Sequence, residues 1–402
     1  MSPTPPPAPL PMARHAGRPF DPPEELARLR AEHPISPMAY PDGHVGWLVT
    51  GHALVRAVLA DPRFSHRSEL THIPLPGAGV GQRPPSAPPG QFTAMDPPEH
   101  TRYRHLLTGQ FTVRRMRGLT GRIEAITAEH LEAMERHGPP VDLVEAFALP
   151  IPGLVICELL GVPVAERGRF QRDMTLLLSL DATPERKMAA YTAIQEFMGD
   201  LVRAKRADPT DDLLGGLAAS GDLTDEELAN IGGTLMGAGF ETTANMIALG
   251  AWALMSHPDR LAALRADPGL GDQAVEELLR YLSIIPVTVR TALEDVELGG
   301  RLVKAGQSVT VSVPAANRDP AHFPDPDTLD LHRVTAGHVA FGHGVHQCLG
   351  QQLARVEMRV GLRALFDRFP GLRLAVPPEE VPLRTDMLIY GVHRLPVTWD
   401  PA

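Results

Sequence analysis

Residues Phe341 to Gly350 read FGHGVHQCLG, and this decapeptide holds one of only two cysteines in 402 residues. Cys348 follows a glycine-rich loop and precedes the helix-like stretch LGQQLARVEMRVGLRALFDRF. Backbone N–H groups and the positive end of a helix dipole favour a thiolate over a thiol, so the sequence sets this sulfur up as a ligand. Gly342, Gly344 and Gly350 remove side chains where a flat, bulky group could lie against the backbone, and Phe341 can pack beside the sulfur. The plain alternative is a buried structural cysteine among turn glycines. Zinc is a poor rival, because His346 and Cys348 have no second close pair to complete a tetrahedral site.

The run is similar to the heme-binding signature of the cytochrome P-450 family. That resemblance extends from about Asp21 to the C-terminus. It implies a mainly α fold with small β-sheets, in which heme b lies between a long central helix and a Cys-bearing loop and helix. Cys348 would then be the axial thiolate and sole metal ligand, with Ala238, Phe341 and Gly350 beside the cofactor.

Composition agrees with a large globular core, and residues 21–402 read as a single domain. The first twelve residues, MSPTPPPAPLPM, contain six prolines, so residues 1–20 read as a disordered tail outside the fold. The tail has neither the basic region nor the continuous apolar core of a signal peptide. The best apolar stretch, FALPIPGLVICELLGVP, is broken by three prolines and Glu158 and is too interrupted for a membrane span. With 38 basic against 48 acidic residues, the net charge of −10 argues against nucleic acid as a partner. Cys157 and Cys348 form no CxxC pair, which fits a reducing, cytoplasmic compartment.

Apolar residues recur at helical spacing through most of the chain, and strand-like runs are few: HVGWLVT near Trp47, VTVRTAL near Arg290 and QSVTVSV near Val311. The longest helix is expected to start at Thr224, where a TxxE capping box is formed with Glu227, and to run towards His257. At about 33 residues it would be near 50 Å long. Between Glu227 and Asp259 its only formally charged side chain is Glu241, an expensive group in a buried helix unless it is paired or used. Thr234, Ala238, Glu241 and Thr242 fall near one stripe, and the small residues 237–239 predict a groove or distortion there. A softened buried helix whose threonines bond back to the backbone explains the segment equally well. The family resemblance implies more: Thr242 would hydrogen-bond to activated oxygen while Glu241 helps to relay protons.

Glu277 and Arg280 lie three apart in EELLR on a helix that must end before Pro286. They resemble the family's ExxR element, and Arg333 of DLHR would be its third member, all three holding the fold and taking no part in the chemistry. Partly buried heme propionates need cations. His100 and Arg104, four apart after a Pro-Pro-Glu helix start, together with Arg290 and His346, match the contacts that the resemblance implies.

The implied reaction inserts one atom of O2 into a small apolar substrate by hydroxylation or epoxidation. Electrons would come from a separate donor, a ferredoxin with its reductase. Arg114, Arg115 and Arg117, with Arg355, Arg359 and Arg363, could form a landing patch for such an acidic partner, or simply be solvated helix faces. Retention of Glu241 and Thr242 favours oxygen activation over a peroxygenase or a nitric oxide reductase on the same scaffold. A heme sensor without turnover, or a catalytically silent relative, is the alternative of another class. His66 to Gln91 reads as a flexible lid, and MTLLLSLDATPERKM as a second cover of two helices interrupted near Asp181 and Pro184. Leu177, Leu178, Thr234, Gly237, Ile285, Val287, Val289, Leu388 and Ile389 are candidate pocket walls, aliphatic and small, which point to a bulky natural product such as a macrolide, another polyketide or a terpenoid.

Overall fold

The computed structural model describes residues 5–15, 17–75 and 83–400, so the first four residues of the proline-rich start and residues 76–82 of the expected lid lie outside the described residues. The sequence reading puts one domain over 21–402. The chain divides into two compact units, each assembled from segments far apart in sequence: 1–87, 93–100 and 272–349 in the first, and 88–92, 101–271 and 350–402 in the second.

The first unit is built on a five-stranded sheet in the order 35–39, 45–49, 308–312, 287–292, 64–65. The three runs read as strands are all in it: Val45–Val49 pairs parallel with Ser308–Ser312, placing Trp47 opposite Val309, and Val287–Ala292 pairs antiparallel with Ser308–Ser312. Their β-branched residues pack with the helix His52–Ala60, so that Val49, Val55, Val58, Val309, Val311 and Val339 form one buried cluster. The outer strand Ile35–Ala39 leaves one edge unpaired by the other strands. There the proline-rich start is not free: Ala8 bridges Met38, the Ala39 N–H donates to the Ala8 carbonyl at 2.9 Å, and Leu10 is buried. This corrects the reading of residues 1–20 as disordered throughout. An extended proline-rich backbone has no internal hydrogen bonds, so its carbonyls are available to a sheet edge.

The second unit is mainly helical, with a small sheet of Val141–Asp142, Pro396–Thr398 and Arg373–Leu374. Its axis is the central helix Asp225–Met255, opened by the expected capping box, in which Thr224 Oγ1 accepts from the Glu227 N–H and Glu227 Oε2 accepts from the Thr224 N–H. It is 31 residues long and runs without a break in its helical assignment, so the expected distortion at residues 237–239 is not a break in the helix. Most of its residues are buried because helices surround it: Pro150–Leu160, Pro184–Ala207 and Gln351–Arg368 all pack on it. The apolar run around Cys157 is the first of these, ended by Gly161 in the left-handed region. Among the described residues no helix is long and apolar enough to cross a membrane. The second expected cover forms as two helices, Arg167–Leu178 and Pro184–Ala207, the latter capped by the Thr183 side chain.

Candidate active site

In the first unit, the Cys348 loop is held by its own backbone. The Cys348 N–H donates to the Phe341 carbonyl at 2.9 Å, and the Gly342 N–H to Val339 at 2.9 Å. Gly342 and Gly344 have φ of 71° and 75°, and a Cβ at Gly344 would run into the Leu59 carbonyl, so only glycine closes this turn. The thiol of Cys348 is left exposed, and the helix Gln351–Arg368 begins three residues on, with Gly350 as the residue before it. Cys157 is the opposite case: burial pushes its thiol up to about 11. A thiol that stays protonated is a poor ligand, which separates the two cysteines chemically.

The same unit gathers nitrogen-rich side chains. His346 lies 4.1 Å from His100 and 4.8 Å from His66, ring centre to ring centre. Arg290 is buried, donating to Thr288 Oγ1 at 3.1 Å and to its neighbour's carbonyl at 2.8 Å. Burial pulls the Arg290 guanidinium down to about 10, against the opposing pull of Asp96. His66 is held well below its ordinary value, first by desolvation and then by Arg290 and His346. Its buried Nδ1 has no hydrogen-bond partner. A cluster of desolvated donors with an unused ring nitrogen is what an anionic ligand would complete, so these residues fit a carboxylate-bearing cofactor. Arg104 is on the same helix as His100, Glu99–Thr108, one turn further on and half-exposed.

The expected buried network is complete within this unit. Glu277 and Arg280 are fully buried and joined by two bonds, Nε to Oε2 at 2.7 Å and Nη2 to Oε1 at 2.8 Å. Arg333 Nε reaches Glu277 Oε1 at 3.2 Å, and the Asp330 N–H donates to the same oxygen at 2.9 Å. The remaining guanidinium donors of Arg280 and Arg333 hold carbonyls of Asn317, Pro324, Asp325, Pro326 and Thr328, which fixes the loop leading to the cysteine.

In the second unit, Thr234, Ala238 and Thr242 form the open stripe of the central helix, and the Thr242 hydroxyl donates to the Ala238 carbonyl at 2.7 Å. Glu241 departs from the stripe read in the sequence. It is only 1% exposed; its Oε1 accepts from Thr175 Oγ1 at 2.5 Å, and its Oε2 is paired with Arg384 Nη2 at 2.6 Å. One hundred degrees per residue turns position 241 away from 238 and 242 far enough to reach these neighbours. Gly237 is buried against Met174 of the helix Arg167–Leu178. Leu178 and Leu388 come together because the Leu388 N–H donates to the Leu178 carbonyl at 3.0 Å; Leu177 and Leu388 are half-buried and Ile389 is buried. Ile285, Val287 and Val289 belong to the first unit, half-buried, the two valines on one face of their strand.

The lid reading needs correction over its first part. His72 is buried, its Nδ1 lies 2.6 Å from Asp42 Oδ2, and its N–H donates to Ser308 Oγ; the Leu70 carbonyl accepts from Thr291 Oγ1. Residues 70–72 are thus fastened to the sheet by side chains that a Pro/Gly count does not register. Sequence reasoning also missed His66, Thr175, Arg384 and Glu357. The last lies in the helix after the cysteine, fully buried and hydrogen-bonded to Thr243, and desolvation pushes its carboxyl up to about 8. Folded, Glu357 keeps its proton to higher pH than the 4.5 of an ordinary glutamate. Its contribution to stability is therefore full below about 4.5 and lost as pH rises towards about 8. Glu357→Gln is expected to flatten the pH dependence of the thermal midpoint in that window; an unchanged slope contradicts the assignment.

A family model described as Cytochrome P450 matches residues 180–268 and 270–397. The protein belongs to the cytochrome P450 family. Cytochrome P450 105C1 of a Streptomyces species is 52% identical over 382 residues, covering 94% of this chain and 96% of its own. Nocardicin C N-oxygenase of Nocardia uniformis subsp. tsuyamanensis is 45% identical, covering 93% and 94%. The crystal structure of CYP105P1 in complex with filipin I superposes with a TM-score of 0.94 at 44% identity, covering 98% of this chain and 100% of the other. The fold is therefore the P450 fold, and this P450 is a monooxygenase of a family that implies a heme-thiolate cofactor.

Proposed function

We propose that this P450 binds heme b through Cys348 and inserts one atom of O2 into a bulky apolar small molecule in natural-product biosynthesis. The observation that carries the reading is the pairing, within one unit, of an exposed cysteine on a glycine-shaped loop with the gathered side chains of His66, His100, Arg290 and His346, among which His66 Nδ1 is buried without a hydrogen bond. These four would hold the propionates, with Arg104 one turn along from His100. Held through the Cys348 thiolate, heme would supply an iron centre whose electron density favours O–O cleavage.

The chain's own residues supply the rest. Thr242 has its proton parked on the Ala238 carbonyl and can turn it towards the open stripe, which makes it a donor to a group bound there. Glu241, one residue earlier and sealed from water, is the carboxylate able to take up and release a proton behind it. Removing the alcohol is expected to leave oxygen consumption running while product per O2 falls about tenfold, the worth of one well-placed hydrogen bond. Thr242→Ala, assayed for product, peroxide and oxygen together, tests this, and unchanged coupling would remove Thr242 from the reaction.

Electrons would arrive from a ferredoxin with its reductase in the cytoplasm. Arg114, Arg115 and Arg117 are exposed on the helix Val113–Gly118, which packs on the helix carrying Arg355 and Arg359, so these five can present one basic face. Arg363, further along that helix, pairs with Asp367 at 2.6 Å. The substrate reading rests on the aliphatic character of the wall candidates, among them Leu178, Leu388 and Ile389 in the second unit. A relative solved in complex with filipin I and another named nocardicin C N-oxygenase support the reading of a small organic substrate.

A further inference from the structure

A lone carboxylate in the buried central helix is costly unless something holds it, and here two groups from different parts of the chain do so. Thr175 stands on the helix Arg167–Leu178, and Arg384 on the C-terminal segment after Val381. These two elements are also joined to each other by backbone: the Leu180 N–H donates to the Asp386 carbonyl at 2.7 Å and the Leu388 N–H to Leu178 at 3.0 Å, with Ser179 bridging Met387. The C-terminal segment is seated on the central helix a turn beyond Glu241. The Asn245 side chain donates to the Glu241 carbonyl at 2.8 Å, and Gly391 lies so close to Asn245 that a Cβ would collide with it. The Arg384 N–H donates to the Gly391 carbonyl at 2.9 Å. Glu241 is thus the point at which the central helix, the cover helix and the C-terminal segment are locked together.

Arg384 is poorly suited to a purely structural task. It is only 6% exposed, yet it commits one side-chain nitrogen to Glu241 and leaves its buried Nε without a hydrogen-bond partner. The structural arginines of this chain behave otherwise: Arg280 and Arg318 each spread several donors over carbonyls and carboxylates. One side-chain bond fixes Arg384 less firmly than the several bonds of those arginines fix them.

We propose that Arg384 is a positioning residue for Glu241: with Thr175 it holds the carboxylate off the open stripe while the Arg167–Leu178 cover is docked, so that the proton supply from Glu241 is tied to the position of that cover. This deepens the functional reading above and rests on it. While both bonds hold, the carboxylate is fixed beside its partners. Loss of the Thr175 bond when the cover lifts leaves it pivoting on Arg384 alone.

The test uses the heme-loaded protein, with oxygen consumption tied to any product of a turned-over substrate. Arg384→Met, which keeps length and removes charge, is expected to cut product per O2 at least threefold and to change the solvent deuterium isotope effect on turnover. Amide exchange at Leu180 and Leu388, read without turnover, should quicken by a similar factor. Arg384→Lys should recover at least half of the coupling, and Thr175→Val should speed substrate release more than it lowers coupling. Equal impairment by Met and Lys would make Arg384 a packing residue. Wild-type coupling and isotope effect in Arg384→Met would overturn the proposal outright. If Arg384→Met fails to fold, the Lys and Thr175 variants still decide, the proposal falling if both match the wild type. A wild-type protein that makes no product from O2 would instead sink the underlying function.

Discussion

Arg280→Ala is expected to yield no soluble, heme-loaded protein. The substitution takes two of the bonds to buried Glu277, leaving its charge to the single longer contact with Arg333, and frees the Asn317 and Pro326 carbonyls that Arg280 Nη1 serves. Breaking a buried pair costs about 3–5 kcal/mol, a large share of the roughly 5–15 kcal/mol that holds a folded protein together. Arg280→Lys should rescue little, because an ammonium cannot reproduce the two-pronged grip on Glu277 while also reaching the carbonyls. Arg28→Ala is the contrast: its partners Glu25 and Glu32 are about half exposed, and exposed pairs contribute little. Soluble yield and thermal midpoint check both. An Arg280→Ala protein that melts within a few degrees of the wild type would contradict the role given to this network.

Cys348→Ala is expected to abolish thiolate ligation and reduce monooxygenation to background, with Cys157→Ala leaving both intact. Cys157 is sealed into a helix of the second unit with its thiol raised to about 11, so it cannot substitute as a thiolate near neutral pH. The Cys348 variant should still fold, because the side chain is exposed and the turn is fixed by glycines and by the backbone bond to Phe341. Heme content and far-ultraviolet circular dichroism separate loss of the ligand from loss of the fold. Wild-type turnover in Cys348→Ala would remove the thiolate from the account.

The strongest local signals carried furthest from the sequence. The capping box at Thr224 and Glu227, the glycines before Cys348 and the spacing of Glu277 and Arg280 each encode their outcome within a few residues. The same holds for the three β-branched runs that form strands of the five-stranded sheet. Arg333 was legible only through the family resemblance, because its partner Glu277 lies 56 residues earlier. Long-range pairs are where the reading failed. A lone Glu241 announces that a partner exists, but nothing local tells which of many arginines it meets, and Arg384 is 143 residues away. His66 looked like lid because composition is an average, whereas the fastening of residues 66–72 depends on Asp96, Thr291 and Ser308, each brought near by the sheet. Glu357 was hidden for a related reason: at helical spacing an acid in a basic helix reads as solvated, and the packing of that helix on the central one buries it.

The absorption spectrum of the reduced carbon monoxide complex tests the central assignment most directly, since it reports the ligand opposite the gas. The wild-type protein is expected to give the red-shifted Soret band of thiolate ligation, and Cys348→Ala to lose it while Cys157→Ala keeps it. A wild-type spectrum typical of nitrogen ligation, or the thiolate band persisting in Cys348→Ala, would contradict the account.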